Sequence, residues 1–208
     1  MKKGFTLVEM LVVIGIIAVL IAASLGSFSA VRNSAEKARA QELVSNTATA
    51  LTALFNDNGV WPRQLREGAK TGYGVLDQTA AYPLAANTKY MSLTTGKDVL
   101  AGNDRFGVVT PWATTLIKRR GMSATLGSKL GNGTTVSDNI LYYALDLDGD
   151  GIITTKVGGD AISVRATALV WCIGKSGGND GKPWPYKTGV RKKDDVYSWS
   201  YGQTLQVK

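Results

Sequence analysis

The sequence predicts an α+β protein in which one long N-terminal helix packs against a small antiparallel β-sheet. Three observations support this prediction. Apolar residues dominate positions 5–28, and they then recur every three or four positions as far as residue 55. A polar Asn-Asp-Asn-Gly segment, typical of a helix end, follows at residues 56–59. Segments rich in aliphatic and aromatic residues, typical of β-strands, come after residue 138.

The first half of the predicted helix is apolar enough to enter a bilayer. Residues 5–28 exceed the roughly 20 residues that span the hydrocarbon core, and Lys2 and Lys3 give the charge bias of a cytoplasmic end. Glu9 interrupts this segment, and an ionised carboxylate in hydrocarbon costs roughly 2.5 to 3.5 kcal/mol on insertion scales. The carboxylate argues against a secretory signal peptide and is unexplained in an ordinary transmembrane anchor.

Residues 2–10 resemble the class III signal of type IV pilins and of the pseudopilins of type II secretion. The resemblance implies that a prepilin peptidase cleaves between Gly4 and Phe5 and methylates the new amino group of Phe5. It also implies that Glu9 pairs with the N-terminal amine of a neighbouring subunit in a filament. Such pairing is physically reasonable, because a carboxylate among apolar helices is tolerable only when a cation neutralises it.

The second half of the predicted helix, residues 29–57, is amphipathic. Gly59 can adopt the left-handed conformation that ends a helix, and Pro62 opposes any continuation. From Phe5 to about Asn56 the helix would be about 75 to 80 Å long at 1.5 Å per residue, so its second half should leave the membrane. We therefore predict a leader (residues 1–4), a transmembrane or filament-core helix (5–28), an amphipathic half (29–57) and a soluble globular domain (58–208).

The sequence predicts strands in the second part of the globular domain but no regular structure in its first part. Residues 63–137 have scattered Gly, Thr, Asn and Ser, and the resemblance implies a variable loop between helix and sheet there. Residues 139–146 and 161–173 are predicted strands, and residues 196–199 and 204–207 are shorter candidates. Together these segments predict a single antiparallel sheet of three or four strands.

Composition restricts the function. The chain has no histidine, which removes the usual general base and a common metal ligand. Cys172 is the only cysteine, so it cannot form an intramolecular disulfide. An enzyme is therefore not expected. The formal charge of +8 raises the question of nucleic acid, but the basic clusters at 118–120 and 191–193 are short, and we expect a solvated basic surface without nucleic-acid binding.

One acidic segment has a spacing that suits calcium. Asp146, Asp148 and Asp150 alternate as in the first half of an EF-hand loop. Val157 stands where an EF-hand has its bidentate glutamate, which excludes a complete EF-hand, and Asp160 is the candidate that would complete the ligand set. The alternative is a tight acidic turn between two strands, stabilised by aspartates that bond to their own backbone.

The end of the chain resembles the C-terminal loop of the major pseudopilin of type II secretion. It has a strand ending in glycine, then Asp-Gly, then paired aspartates before a Ser-Trp pair. The resemblance implies a second candidate calcium site at Asp194 and Asp195, with Asp180 as a further match. The basic triplet at residues 191–193 departs from the family pattern and would weaken calcium binding.

These residues together resemble a pseudopilin, most closely the major type. The resemblance implies a single-pass protein of the bacterial inner membrane, with its C-terminal domain in the periplasm, that joins a helical filament acting in type II protein secretion. Its expected partners are further copies of itself, the prepilin peptidase, an inner-membrane assembly platform and minor pseudopilins. The alternative is a true type IV pilin for adhesion, motility or DNA uptake, displayed at the cell surface.

Overall fold

The computed structural model describes residues 6–85, 89–91, 107–112, 140–157, 160–174, 196–199 and 204–205. Its elements, in chain order, are α1 (Leu7–Asn58), α2 (Arg63–Ala69), β1 (Gly74–Val75), α3 (Gln78–Ala85), β2 (Tyr142–Leu145), β3 (Ile152–Val157), β4 (Asp160–Arg165), β5 (Ala168–Cys172), β6 (Val196–Tyr197) and β7 (Thr204–Leu205). The chain divides into two compact units, Met1–Ala38 and Arg39–Lys208.

Helix α1 runs for 52 residues and ends where the sequence predicts. Gly59 has a φ of +67°, and its N–H donates to the Phe55 carbonyl at 2.7 Å, which is the left-handed cap that closes a last helical turn. The Asp57 carboxylate accepts a hydrogen bond from Lys89 Nζ at 2.7 Å. This bond, with a second from Tyr90, holds the pKa of Asp57 below its usual range and ties the helix end to residues 89–91.

The amphipathic half of α1 forms one wall of the core of the second unit. Its buried positions follow the helical period of three and four residues, and its other positions are largely polar. The Thr47 hydroxyl, which is buried, donates to the Leu43 carbonyl at 2.7 Å and so has a partner. The predicted long helix and its packing against an antiparallel sheet are confirmed. The buried stripe is Ala40, Leu43, Val44, Thr47, Ala50, Leu51 and Leu54.

The strands of the described residues form two antiparallel sheets and not the single sheet that the sequence predicts. One sheet has the order β1-β2-β5-β6, and the other has the order β3-β4-β7. In the first, Tyr142 lies opposite Trp171. In the second, β3 and β4 form a hairpin that pairs Ile152 with Arg165 at one end. Strand β3 was not predicted, because residues 152–157 mix aliphatic residues with threonine and lysine.

The predicted strand over residues 161–173 is wrong in one respect, because two strands of different sheets occupy this segment. Strand β4 ends at Arg165 and β5 begins at Ala168. The chain crosses between the sheets at Ala166 and Thr167, where the Thr167 carbonyl accepts from the Asp146 N–H at 3.0 Å. Arg165 and Thr167 alternate with apolar residues across this crossing, as they would within one continuous strand, so the sequence pattern does not reveal it.

Strand β2 is buried on both faces, and all of β5 is buried as well. Alternate residues of a strand point to opposite sides, and here each side has its own core. Tyr143, Val170 and Cys172 belong to the core formed with the helices. Tyr142 and Trp171 belong to a second core against β3 and β4, where their rings stack at 5.9 Å. Cys172 is buried, with 1% of its surface exposed.

The connecting region contains two short helices that the sequence did not predict. Leu65 and Ala69 of α2 are buried in the core. Helix α3 begins after Asp77, whose Oδ1 accepts the Ala80 N–H at 2.8 Å as an N-terminal cap. Further along this region, residues 89–91 and 107–112 are described, and Trp112 is buried in the core.

The Tyr143 side chain fills a slot between two glycines. Its hydroxyl donates to the Leu65 carbonyl at 2.9 Å, and its burial raises the pKa of the phenol. A Cβ added at Gly68 would overlap the Tyr143 hydroxyl. A Cβ added at Gly74 would instead lie 2.6 Å from Cζ of the ring. The Tyr143 side chain therefore leaves no room for a Cβ at either glycine.

We expect Gly68→Ala to lower the free energy of unfolding by about 1 to 3 kcal/mol, the usual effect of overpacking. In a Tyr143→Phe background the hydroxyl is gone, and the loss should fall close to zero, because alanine is favoured over glycine inside a helix by about 1 kcal/mol. Gly74→Ala is the matched control, since the ring carbons that it meets remain in phenylalanine. Its loss should be similar in both backgrounds.

The measurement is denaturant unfolding of the full-length chain in detergent, followed by tryptophan fluorescence, as a double-mutant cycle. An equal loss for Gly68→Ala in the two backgrounds would contradict the proposed steric cause.

Candidate functional site

The N-terminus of α1 is closed by a pair of reciprocal hydrogen bonds. Glu9 Oε2 accepts from the backbone N–H and from the hydroxyl of Thr6, each at 2.8 Å, and the Glu9 N–H donates to Thr6 Oγ1 at 3.3 Å. This arrangement is a capping box, in which two residues three apart satisfy each other's backbone donors. The Thr-x-x-Glu spacing of residues 6–9 is the sequence signal for such a cap, and it gives Glu9 a partner within its own chain. Gly4 and Phe5 lie outside the described residues.

The first unit exposes many apolar side chains. Phe28 and Val31 are 70% and 66% exposed, and the exposed apolar side chains between Leu7 and Ile21 are 48% to 80% exposed. Apolar surface of this extent on a folded chain normally contacts another molecule. Within the described residues, the structure contains no helix whose length and hydropathy meet the requirements of a bilayer span. The exposed apolar residues are Leu7, Val8, Met10, Leu11, Val12, Val13, Ile14, Ile16, Ile17, Val19, Leu20, Ile21, Phe28 and Val31.

The acidic loop, residues 146–151, brings three carboxylates together. Asp146, Asp148 and Asp150 each place one carboxylate oxygen within 4.8 Å of the others. Asp146 is 8% exposed, and the other two aspartates face solvent. Three like charges at this spacing repel one another unless a cation or hydrogen-bond donors are near. These are the first three of the predicted calcium ligands, and calcium binding by them stays a prediction.

Backbone N–H groups donate hydrogen bonds to two of the three carboxylates, those of Asp146 and Asp150. Asp146 Oδ1 accepts from the Gly149 N–H at 2.7 Å, and Oδ2 accepts from the Gly151 N–H at 2.9 Å. Both glycines have positive φ, +78° and +76°, which other residues rarely adopt. Asp150 Oδ1 accepts from the Ile152 N–H at 2.7 Å. The carboxylate of Asp148 has no hydrogen bond among the described residues, so it is the carboxylate most available to a cation.

Main-chain and indole hydrogen bonds hold the acidic loop at both ends. The Asp146 N–H donates to the Thr167 carbonyl at 3.0 Å, and the Ala166 N–H donates to the Gly151 carbonyl at 3.2 Å. Trp61 Nε1 donates to the Asp146 carbonyl at 2.7 Å, and the indole stacks on Phe55 at 4.7 Å. The loop is therefore attached both to the crossing between the sheets and to the end of α1.

Asp160 is not part of this cluster. It pairs with Val157 at one end of the hairpin, whereas the acidic loop enters the hairpin at Ile152. Five residue steps of strand, roughly 17 Å at 3.4 Å per residue, separate these two ends. The structure thus brings together only the first three aspartates of the predicted set. Asp180, Asp194 and Asp195 lie outside the described residues.

A groove of about 280 Å³ borders the acidic loop. It is lined by Lys70 and Gly72, which follow α2, and by Asp148, Asp150 and Ile152 on the opposite side. Lys70 Nζ nevertheless bonds to Glu67 at 2.6 Å. Among the described residues, no ion pair joins α2 to the loop across this groove.

We expect Trp61→Phe to destabilise the protein by about 1 kcal/mol more than Trp112→Phe does. Trp61 donates a buried hydrogen bond, whose loss costs about 0.5 to 1.5 kcal/mol and leaves a carbonyl unpaired. The Trp112→Phe substitution removes the same ring volume, but the buried Nε1 of Trp112 has no hydrogen-bond partner among the described residues. Denaturant unfolding of both variants gives the difference, and equal losses would contradict a role for the indole N–H in holding the loop.

Comparison with known proteins agrees with the N-terminal motif. Residues 1–25 match the family described as "Prokaryotic N-terminal methylation motif". The type IV major pilin protein PilE of Neisseria gonorrhoeae is 32% identical over 63 residues, which are 30% of this chain and 38% of that protein. The fimbrial protein EcpC of Eikenella corrodens is 34% identical over 61 residues, 29% of this chain and 40% of that protein.

These similarities are partial. The chain spans about two-fifths of the length of the curated relatives that it matches, and no solved structure matches it. Three observations support a type IV pilin-like protein of α+β architecture. They are the methylation motif, the similarity of the chain to a pilin and to a fimbrial protein, and the fold.

Proposed function

We propose that this chain is the structural subunit of a pseudopilus, a filament that acts in type II protein secretion. The observation that carries the proposal is the match of residues 1–25 to the N-terminal methylation motif, because such a motif implies a precursor that is cleaved and methylated before it assembles. The exposed apolar surface of the first unit supports it, since that surface needs a lipid or protein environment. The proposed role is structural and requires no catalysis by this chain.

The proposal gives each part of the first unit a role. Residues 5–28 anchor the precursor in the inner membrane as a single pass, with Lys2 and Lys3 on the cytoplasmic side and the globular domain in the periplasm. The prepilin peptidase cuts between Gly4 and Phe5 and methylates the new amine. The assembly platform and the minor pseudopilins then receive the mature chain. Apolar burial among the N-terminal helices of neighbouring copies drives assembly.

Glu9 has two partners in this scheme. In a single chain its carboxylate accepts hydrogen bonds from Thr6 through one oxygen, Oε2. A carboxylate can accept about four hydrogen bonds in all, so Oε1 can still receive the amine of Phe5 from a neighbouring chain. The amine neutralises the carboxylate, which makes its burial among apolar helices tolerable.

We expect Glu9→Gln to insert into the membrane normally and to form at least tenfold less filament, because the amide keeps the shape but loses the charge that pairs with the amine. Glu42→Gln is the matched control, since Glu42 is an exposed carboxylate on the same helix without a partner among the described residues. Filament sheared from cells is compared with the membrane-bound pool by immunoblot. Wild-type yields for Glu9→Gln, or a mature protein that still begins at Met1 by mass spectrometry, would contradict the proposal.

A true type IV pilin is the second candidate. The similarity to a type IV major pilin and to a fimbrial protein favours it. The two functions differ in what a deletion strain loses. Loss of an exported protein from the medium supports the pseudopilus, whereas loss of surface fibres with unchanged export supports the pilin.

We further propose that the unassembled chain binds calcium in the acidic loop through Asp146, Asp148 and Asp150. Calcium prefers oxygen ligands, and carboxylates that accept backbone hydrogen bonds keep lone pairs for it. The donor set therefore fits the ion. Asp194 and Asp195, with Asp180, are the alternative proposed site.

Calcium at about 100 times its Kd is expected to stabilise the folded chain by about 2.7 kcal/mol, and a chelator should lower the Tm accordingly. Asp148→Asn should remove this shift without loosening the loop, because the Asp148 carboxylate makes no hydrogen bond among the described residues. Asp195→Asn tests the alternative site in the same way. A Tm that does not respond to calcium or chelator in the wild-type chain would exclude both sites.

A further inference from the structure

Helix α1 ends at an Asn-Gly pair, Asn58 and Gly59, and both residues are exposed to solvent. Asn-Gly pairs deamidate readily, because glycine has no Cβ to hinder the attack of its backbone nitrogen on the asparagine side chain. In this reaction the Gly59 nitrogen loses its proton and bonds to Cγ of Asn58, and the side-chain nitrogen leaves as ammonia. Water then opens the resulting five-membered succinimide at either carbonyl, which gives aspartate or isoaspartate. The pair and the solvent thus supply every atom of the reaction.

Two hydrogen bonds hold the reacting groups of this pair in unreactive positions. The Gly59 N–H donates to the Phe55 carbonyl at 2.7 Å, so the attacking nitrogen is engaged in the helix cap. The Asn58 Nδ2 donates to the Leu54 carbonyl at 2.8 Å, which directs the side-chain amide back along the helix. Ring closure requires Cγ of Asn58 to approach the Gly59 nitrogen. Both hydrogen bonds must therefore break before the succinimide can form.

A segment from elsewhere in the chain holds the same turn closed. The side chains of Asp57 and Asn58 are both hydrogen-bonded to the Tyr90 hydroxyl, and Lys89 Nζ donates to the Asp57 carboxylate at 2.7 Å. Tyr90 is itself packed against the core formed with the helices. The position of the Asn58 amide therefore depends on a tertiary contact as well as on the helix.

We propose that Asn58–Gly59 is a latent deamidation site, which the closed last turn of α1 keeps unreactive and which reacts when this turn opens. Breaking two hydrogen bonds lowers the population of the open turn by roughly 5- to 150-fold, and a reaction of the open form slows in proportion. The products disfavour reclosure. Aspartate places a negative charge at the helix C-terminus, where the macrodipole is also negative, and isoaspartate adds a methylene to the backbone. Deamidation therefore marks chains whose helix end has opened.

The test compares deamidation of the purified full-length chain folded in detergent with that of the same chain unfolded in urea, in one mildly alkaline buffer. Peptide mapping by mass spectrometry measures the conversion of Asn58. We expect the folded chain to react about tenfold more slowly or less. Asn132 also precedes a glycine, and in urea the two asparagines should react at similar rates. Equal rates at Asn58 in the folded and unfolded chains, or no conversion of Asn58 in urea, would overturn the proposal.

A single hydroxyl tests the contact that holds the turn. Tyr90→Phe keeps the ring but removes the hydroxyl, and it should speed the conversion of Asn58 in the folded chain by about 2- to 10-fold, the effect of one lost hydrogen bond. Tyr82→Phe is the matched control, because it removes a hydroxyl from an exposed tyrosine of a different helix, α3, and its rate should equal that of wild type. Tryptophan fluorescence checks that both variants are folded. A wild-type rate in folded Tyr90→Phe would refute the role of this contact.

Discussion

The burial of β2 and β5 on both faces is the constraint on which the second unit depends. Alternate residues of these strands enter two different cores, so Tyr143 packs with the helices while Tyr142 packs with the second sheet. A sheet covered on both sides needs chain segments that pass from one sheet to the other. The acidic loop and the crossing at Ala166–Thr167 are two such segments, and they hydrogen-bond to each other. The acidic loop is therefore needed as the connection between the two sheets, and its three carboxylates lie on that connection.

The parts of the fold that local rules determine were predictable from the sequence. The 3.6-residue periodicity and Gly59 predicted the extent of α1 closely. The three aspartates were expected to converge because their alternation, with glycines between and after, dictates a tight curl. Prediction failed where a non-local partner decides the structure. Nothing between Arg165 and Ala168 marks a change of sheet, because polar and apolar residues alternate there as they would in a single strand.

The acidic site was predictable only in part for the same reason. Asp160 follows the loop closely in sequence, but the hairpin carries it to the far end of β3. Trp61 is distant in sequence, yet its indole reaches the Asp146 carbonyl, and no local pattern indicates this bond. The Thr6–Glu9 capping box is different, since its spacing is a known local signal. The same residues also fit the signal that precedes a cleavage site, so one short sequence carries two local patterns.

The capping box changes how the Glu9 carboxylate is understood. The first N–H groups of a helix lack intrahelical partners, and in an apolar environment each unpaired group is costly. Glu9 and Thr6 supply partners within the same turn, so the carboxylate stabilises the start of the helix in a single chain. Hydrogen bonds alone do not neutralise its charge, and a cation is still required for deep burial. Glu9 thus stabilises the start of the helix in a single chain, and in the proposed filament its charge would still be neutralised by a neighbouring chain.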